Sequence, residues 1–316
     1  MENYVYKIIP LTEISRKFPF SARYALQDPL LWDSVARRGV LKPVVIASSV
    51  IISGHKRFLA AEAAGFKEIP AFEIQGARNP EDLYLLAVFS NWNQVQDDLD
   101  RAWAIERAVS DFKWDEKTVL EDILPALGIE PQRHFLEEYR EIAGLAAPVL
   151  EAIHSGRLPF RGARVLARFS ASGQSDFANR ITSQAALTTN QLIKAGEWLY
   201  DLMKIKGDSL AGLLKSSGLE ALLETSSEDR RQKGEKFCAQ LRALRFPELV
   251  RKERDFESLA GKIEANQGVS LEAPSYFEGE GLTLRAKLAN PEALDKLAAV
   301  LERKRKLFNS LFDIML

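Results

Sequence analysis

The chain has 316 residues, of which 46% are apolar, so it is long enough to bury the cores of two or three domains. Its 43 basic and 44 acidic side chains leave a net charge of −1, which excludes a general attraction to nucleic acid. Any DNA binding must therefore come from a local basic patch.

A single cysteine, Cys238, excludes a disulfide within the chain and argues against a cysteine-based zinc site. The three histidines are scattered and show no metal-ligand spacing. No apolar run approaches the ~20 residues needed to span a membrane, and the first residues lack the pattern of a signal peptide. These features predict a cytoplasmic protein without a membrane partner.

Residues 1–98 predict a compact α+β domain. Short β-branched runs predict strands at 5–10, 44–47, 50–52 and 69–74. Apolar residues at helical spacing, ended in two cases by glycine, predict helices at 30–38, 56–64 and 81–88.

Residues 99–205 predict an all-α domain, with helices at 100–112, 117–127, 131–142, 147–155, 161–169, 173–183 and 189–204. Gly128 separates the second and third of these helices, as in a helix-turn-helix. Asp97, Asp98 and Asp100 precede the first, and we interpret Asp98 or Asp100 as its N-cap rather than as part of a metal-dependent nuclease site.

Repeated serines and glycines predict a linker at 206–226. The remaining residues, 227–316, predict a small α/β domain: two helices reaching about residue 265, hairpin strands at 269–273 and 282–288, and a helix at 291–312. The apolar stripe of that last helix is expected to pack within the chain or against a second copy of it.

The turn at residues 53–57 has the features of a phosphate site. A strand leads directly to Gly54, and a helix begins there with Lys56 and Arg57 in its first turn. Helix N-termini attract anions through their free amides and partial positive charge, and glycine permits close approach of a ligand. On this motif alone, a glycine turn with two solvated cations remains an equal alternative.

Three segments in order resemble the ParB N-terminal domain over about a hundred residues: 39–46 (GVLKPVVI), 52–61 (ISGHKRFLAA) and 64–71 (AGFKEIPA). Members of this family bind a nucleotide, CTP in the chromosome-partition proteins, and use it to close a dimer over DNA. The resemblance therefore implies a CTP-like nucleoside triphosphate with Mg2+, a DNA partner, a homodimer and a location at the nucleoid.

The resemblance also assigns residues. It implies nucleotide or phosphate contacts from Arg23, Ser53, Gly54, His55, Lys56, Arg57 and Asn91, with Asn91 also holding the metal. A related domain, sulfiredoxin, carries a cysteine in this turn, which is missing here.

Departures from the family concern the groups that would promote hydrolysis. Ser21 and Ala22 stand where the loop glutamine and proline are usual, Ser90 replaces a glutamate, and the box arginine would fall near Gln94. Without that glutamine and glutamate the turn lacks a residue to orient water and a carboxylate for a base or metal. We therefore expect nucleotide binding with weak or no hydrolysis, and keep a nuclease or phosphoryl-transfer enzyme as the alternative.

The helical region resembles the segment that follows in ParB proteins, at residues 147–158 and 161–166. Candidate DNA contacts are Arg133, His134, Arg157, Arg161, Arg164 and Arg168. Arg161, Arg164 and Arg168 have the spacing of one helix face, which is either a basic strip or an ordinary solvated face. Three glutamates on the candidate recognition helix oppose docking in DNA, so a protein-interaction module is a second hypothesis.

Overall fold

The computed structural model describes residues 4–76, 78–90, 97–225, 228–264, 268–279 and 281–315. The chain is a mixed α/β protein with mostly helical secondary structure. It divides into two compact units, Met1–Gly196 and Glu197–Leu316. The three domains predicted from the sequence have different boundaries, and that finer division stays a prediction.

The first unit begins with a four-stranded sheet in the order β1-β4-β2-β3. Its strands are β1 (Tyr4–Pro10), β2 (Val44–Ala47), β3 (Val50–Ser53) and β4 (Glu68–Ile74). β2 runs parallel to β4, whereas the β1–β4 and β2–β3 pairs are antiparallel. All four strands lie where the sequence predicts them, and the β2–β3 hairpin delivers the chain to Gly54.

Three helices pack against this sheet: α1 (Pro29–Arg38), α2 (His55–Ala63) and α3 (Pro80–Phe89). Asp28 and Asn79 cap α1 and α3 through their side chains. One core gathers Ile46, Ile51 and Phe58, and a second core gathers Ile52 and the side chains of α3. α2 is therefore fixed by burial, and its first turn is held in place relative to the sheet.

The rest of the first unit is helical. Its elements are α4 (Asp98–Ser110), α5 (Glu116–Thr118), a π-helical turn (Val119–Ile123), α6 (Leu124–Ala126), α7 (Arg133–Ala143), α8 (Ala147–His154), a 3-10 helix (Ala163–Arg168), α9 (Ala171–Asp176), a second π-helical turn (Phe177–Ile181) and α10 (Thr189–Lys206), which runs into the second unit. Gly128 (φ 70°) lies between α6 and α7, and the helix-turn-helix stays a prediction.

One hydrophobic core continues across the predicted boundary at residues 98 and 99. It contains Tyr84 of α3 together with Ile105 of α4, and the Tyr84 hydroxyl donates to the Ala104 carbonyl at 2.6 Å. The predicted N-cap needs a correction, because Asp97 caps α4 by accepting from the amide of Asp100 at 2.7 Å.

The helix predicted at 161–169 is a six-residue 3-10 helix instead. Gly162 (φ 93°) precedes it in the left-handed region, so Arg161 lies outside the helix. Residues four apart lie on different faces of a 3-10 helix, which has three residues per turn. The spacing argument that put Arg161, Arg164 and Arg168 on one helical face is therefore wrong.

The second unit contains α11 (Leu210–Ser216), α12 (Leu219–Glu224), α13 (Arg230–Arg245), α14 (Pro247–Glu264), β5 (Val269–Glu272), β6 (Thr283–Ala286), α15 (Pro291–Arg303) and α16 (Arg305–Met315). The segment predicted as a linker holds α11 and α12 with five buried leucines. The Lys233 ammonium also donates to the Leu223 carbonyl at 2.8 Å. These contacts make the segment part of a packed core rather than a linker.

The predicted hairpin is present, since β5 and β6 pair antiparallel. It shares a small core with α14 and α16 around Phe256, Ile263, Leu271 and Leu311. The final helix is broken in two at Lys304, whose ammonium donates to the Ile263 carbonyl at 3.0 Å. Among the described residues, no helix is both long and apolar enough to cross a membrane.

Candidate anion-binding site

A cavity of about 320 Å³ opens at the N-terminus of α2. It is lined by Ala22, Arg23, Leu26, Asp28, Leu31, Ser53, Gly54, His55, Lys56 and Arg57. The fold thus brings Arg23, 30 residues earlier in the chain, to the turn at residues 53–57. Asn91, the remaining predicted contact and metal ligand, lies outside the described residues.

Gly54 gives the turn its shape. Its backbone is left-handed (φ 101°), and a Cβ placed there would lie 2.9 Å from both Val44 Cγ1 and Arg57 Nη2. No side chain caps the helix that follows. The N-terminus of α2 therefore opens into the cavity with its first-turn dipole available to an anion.

Arg57 has a structural role in addition to lining the cavity. Its Nη1 donates to the carbonyls of Lys42 and Pro43, so the guanidinium ties the start of β2 to α2. Burial lowers the pKa of Arg57 below its usual value. The side chain therefore contributes positive charge to the cavity while it holds the backbone around it.

His55 is a neutral, buried side chain that is only 7% exposed. Burial lowers its pKa to about 4, the nearby Arg107 and Arg57 add to that effect, and a hydrogen bond to the Ile51 carbonyl opposes it. Its Nε2 is buried without a hydrogen-bond partner. Orphaned buried polar atoms are uncommon in native structures.

Arg23 enters the cavity as part of an ion pair. Its Nη1 lies 2.5 Å from Asp100 Oδ2, and both side chains are largely buried. Asp100 Oδ1 also accepts from the amide of Tyr24 at 3.0 Å. Asp100, which the sequence pointed to as a possible cap, is instead the group that anchors Arg23.

Arg107 of α4 fixes the loop before Arg23. Its Nη1 donates to the Ser21 carbonyl at 2.8 Å, its Nη2 donates to the Pro19 carbonyl at 2.6 Å, and its Nε donates to Asp111 at 2.7 Å. Sequence reasoning missed this residue, since no local pattern reveals a contact across about 90 positions.

Lys56 and Asp28 face each other in the cavity, with 3.7 Å between Lys56 Nζ and Asp28 Oδ2. That separation exceeds hydrogen-bond length, so the pair is loose. Ser21 and Ser90 have local partners, the backbone of Arg23 and the Ala87 carbonyl. Neither serine supplies a carboxylate to the site.

Most of the DNA-contact candidates have acidic or local partners. Arg164 forms a two-point ion pair with Glu141 at 2.5 and 2.8 Å, which lowers the pKa of that carboxyl. Arg133 lies 3.0 Å from Glu137 and 3.4 Å from Glu116. The other candidates lie as follows: Arg157 Nε donates to Ser155 Oγ at 3.0 Å, the His134 ring lies 4.0 Å from that of Phe135, and Arg161 and Arg168 are exposed.

Comparison with known proteins gives partial sequence relatives, while no family model matches the chain. A probable chromosome-partitioning protein ParB from Coxiella burnetii is 26% identical over 159 residues, covering 49% of this chain and 52% of that protein. Its counterpart from Neisseria meningitidis serogroup A is 24% identical over 170 residues, covering 51% and 57%. The chain thus spans about half the length of the curated relatives it matches.

Solved structures of ParB also align with the chain. C-terminally truncated ParB from Caulobacter crescentus complexed to the centromeric parS site aligns over 60% of this chain and 98% of its own, with 18% identity and a TM-score of 0.36. The same protein complexed with CTP-γ-S aligns over 55% of this chain and 97% of its own, with 20% identity and a TM-score of 0.25. Scores this low add nothing to the fold, so the assignment rests on sequence. By its sequence relatives, this chain is a divergent ParB-like protein.

Proposed function

We propose that this ParB-like chain binds a nucleoside triphosphate, with CTP as the leading candidate, and uses it as a switch in a DNA-associated role. The cavity at the N-terminus of α2 carries this proposal. It collects Arg23 and residues 53–57, which the family resemblance assigns to the nucleotide, around an uncapped helix end.

Size and charge support a nucleotide ligand. The volume of about 320 Å³ lies at the lower end of the range for small-molecule sites. Lys56 is held only loosely by Asp28, so its ammonium is available to a phosphate. The apolar side chains of Leu26 and Leu31 line the same cavity and offer a surface for the less polar part of the ligand.

We further propose that hydrolysis is weak or missing. A phosphoryl-transfer enzyme needs a group that orients water and a carboxylate or metal at the phosphates. Among the described lining residues, Asp28 is the only carboxylate, and the serines at 21 and 90 bond to nearby backbone. A nuclease or phosphoryl-transfer activity remains the alternative, and brisk phosphate release that depends on Lys56 would favour it.

Thermal unfolding with a panel of CTP, UTP, ATP and GTP in Mg2+ tests the proposal, because a ligand of the native state raises the melting temperature. CTP is expected to give the largest rise. Lys56→Gln should reduce that rise, whereas Lys67→Gln, an exposed lysine outside the cavity lining, should leave it unchanged. Equal shifts in both variants, or no shift with any nucleotide, would contradict nucleotide binding here.

DNA association is proposed for the helical part of the first unit, without sequence-specific reading. Arg133 and Arg164 are already paired with glutamates, which favours weak electrostatic contact over base recognition. The same pairing supports the competing hypothesis that this region binds a protein. Roles in chromosome partition, plasmid maintenance or transcription control, at the nucleoid, follow from the ParB relationship as proposals.

Salt-dependent DNA binding separates the two hypotheses. The double variant Arg161→Ala, Arg164→Ala should make the slope of log affinity against log salt less negative by about two, since each phosphate contact contributes roughly −0.9 to that slope. Arg37→Ala, Arg38→Ala removes the same charge from α1 and should leave the slope unchanged. Absence of DNA binding by the unaltered chain would favour the protein-interaction module.

A further inference from the structure

Asp28 is the single carboxylate among the described residues that line the anion cavity. A carboxylate there opposes phosphate binding by charge repulsion unless a cation lies between the two groups. The Oδ1 atom caps α1 by accepting the Leu31 amide at 3.1 Å, and this cap does not use the second carboxylate oxygen.

The second oxygen of Asp28 has room for another ligand. Asp28 Oδ2 lies 3.7 Å from Lys56 Nζ, too far for a hydrogen bond, and about a third of the side chain is exposed. Lys56 and Asp28 thus form a loose ion pair without a hydrogen bond. Among the described residues, no hydrogen bond to Asp28 Oδ2 accompanies this loose ion pair.

The charge of the cavity shows what that group would be. Arg23, Lys56 and Arg57 are opposed by Asp28 and by the Arg23 partner Asp100, so about one net positive charge remains. A triphosphate carries several negative charges, so these side chains alone leave it under-neutralised. Mg2+ on a nucleotide keeps several waters and takes one or two carboxylates together with phosphate oxygens.

We infer that Asp28, through Oδ2, contacts the Mg2+ of a bound nucleoside triphosphate, either directly or through a metal-bound water. This inference rests on the proposed nucleotide function and adds a residue to it. Asp28 is then a positioning residue for the metal–phosphate group. Once the metal contacts Asp28, Lys56 is released to pair with a phosphate.

The test is nucleotide binding by Asp28→Asn, measured by calorimetry with CTP and with inorganic tripolyphosphate, in Mg2+ and in EDTA. Asparagine keeps the capping oxygen and caps helices as well as aspartate, so the fold is preserved. The variant is expected to bind the Mg2+ complexes about tenfold more weakly, as second-shell and single-ligand losses typically do. In EDTA it should bind as tightly as the unaltered chain or more tightly.

Asp33→Asn is the matched control, because it removes the same charge from an exposed position of α1. Its metal-dependent affinity should equal that of the unaltered chain. Mn2+ in place of Mg2+ gives a second readout: the electron paramagnetic resonance signal of the bound Mn2+–nucleotide complex should change in Asp28→Asn and not in Asp33→Asn. Asp28→Ser, another capping residue, replaces Asp28→Asn if the latter fails to fold.

Three outcomes overturn the inference. Equal or tighter binding of the Mg2+ complexes by Asp28→Asn would show that Asp28 only caps α1 and repels phosphate. Binding by the unaltered chain without any Mg2+ enhancement would remove the role of Asp28 and leave nucleotide binding intact. Failure of the unaltered chain to bind CTP and tripolyphosphate in either condition would reject both the inference and the proposed function.

Discussion

Gly54 is the residue on which the shape of the anion turn depends most directly. Gly54→Ala would put a methyl group 2.9 Å from Val44 Cγ1, in a buried strand, and force a left-handed backbone on a residue that resists it. We expect a loss of about 1–3 kcal/mol in the free energy of unfolding and weaker CTP binding. Urea unfolding and calorimetry measure the two effects.

Gly65→Ala separates the cost of a left-handed backbone from the cost of a steric clash. Gly65 also has a positive φ (76°), but a Cβ there meets no atom within 4 Å. Its substitution should therefore cost less stability than that of Gly54 and leave nucleotide affinity unchanged. Equal losses of stability in the two variants would show that the close packing around Gly54 has no energetic weight.

His55 makes the stability of the protein depend on pH. Its pKa is about 4 when folded, against 6.5 for an ordinary histidine, so between these values the unfolded chain binds the proton and the folded chain does not. Stability should therefore fall as the pH drops from 6.5 towards 4, by about 3 kcal/mol in total from this group. Urea unfolding at pH 7, 6 and 5 measures the fall.

The comparison that isolates His55 is the pH dependence of His55→Gln, which cannot take up the proton. Its stability should change less between pH 7 and pH 5 than that of the unaltered chain. His134→Gln alters an exposed histidine and should retain the full pH dependence. If His55→Gln and the unaltered chain show the same pH dependence, burial of the neutral ring is not the cause.

At the scale of elements, Arg107 joins α4 to the loop that carries Arg23. Its guanidinium reaches carbonyls at both Pro19 and Ser21, a geometry that the single ammonium of lysine does not reproduce. Arg107→Lys should therefore destabilise the fold by about 1–3 kcal/mol, through loop carbonyls left without a partner. It should also weaken CTP binding, because Arg23 loses its support.

Asp111→Asn provides the matched control for Arg107. It removes the half-exposed carboxylate bonded to Arg107 Nε and leaves the loop contacts in place. Exposed ion pairs contribute about 0–1 kcal/mol, so this variant should remain nearly as stable as the unaltered chain. A loss as large as that of Arg107→Lys would assign the effect to the ion pair instead of the loop.

The elements of the first 90 residues were predictable because their signals are local. β-branched runs and the glycines at 39 and 65 mark strands and helix ends within a few residues. The contacts of Arg107 and Asp100 were not predictable, since they join positions about 80–90 apart. Candidate residues in the turn were predicted through a motif, whereas the residues that support them carry no motif.

In two other segments, local composition predicted a structure that differs from the observed one. Serines and glycines around residues 206–226 indicated a linker, but the leucines between them face a core and form α11 and α12. Arginines at helical spacing indicated one α-helical face, but Gly162 begins a 3-10 helix there. In both cases tertiary packing decided the structure, and a single sequence contains no direct record of it.

At the scale of the whole molecule, the proposed homodimer depends on the second unit. Leu294 and Leu301 of α15 are 55% and 38% exposed, and their spacing of seven residues puts them on one face of the helix. An exposed apolar stripe of this kind favours contact with another chain, and we propose that a second copy supplies that contact.

Light scattering of the full chain at micromolar concentration is expected to give the mass of a dimer. The double variant Leu294→Glu, Leu301→Glu is expected to give the mass of a monomer. Its melting temperature at low protein concentration should equal that of the unaltered chain. The stripe faces solvent in the single chain, so the new carboxylates cost little there but would be buried in the dimer. Leu41→Glu, Ile205→Glu makes the same change at exposed residues that do not belong to α15 and should remain dimeric. A monomeric unaltered chain would show that α15 does not join two copies, whereas a dimeric double variant would move the interface to another surface.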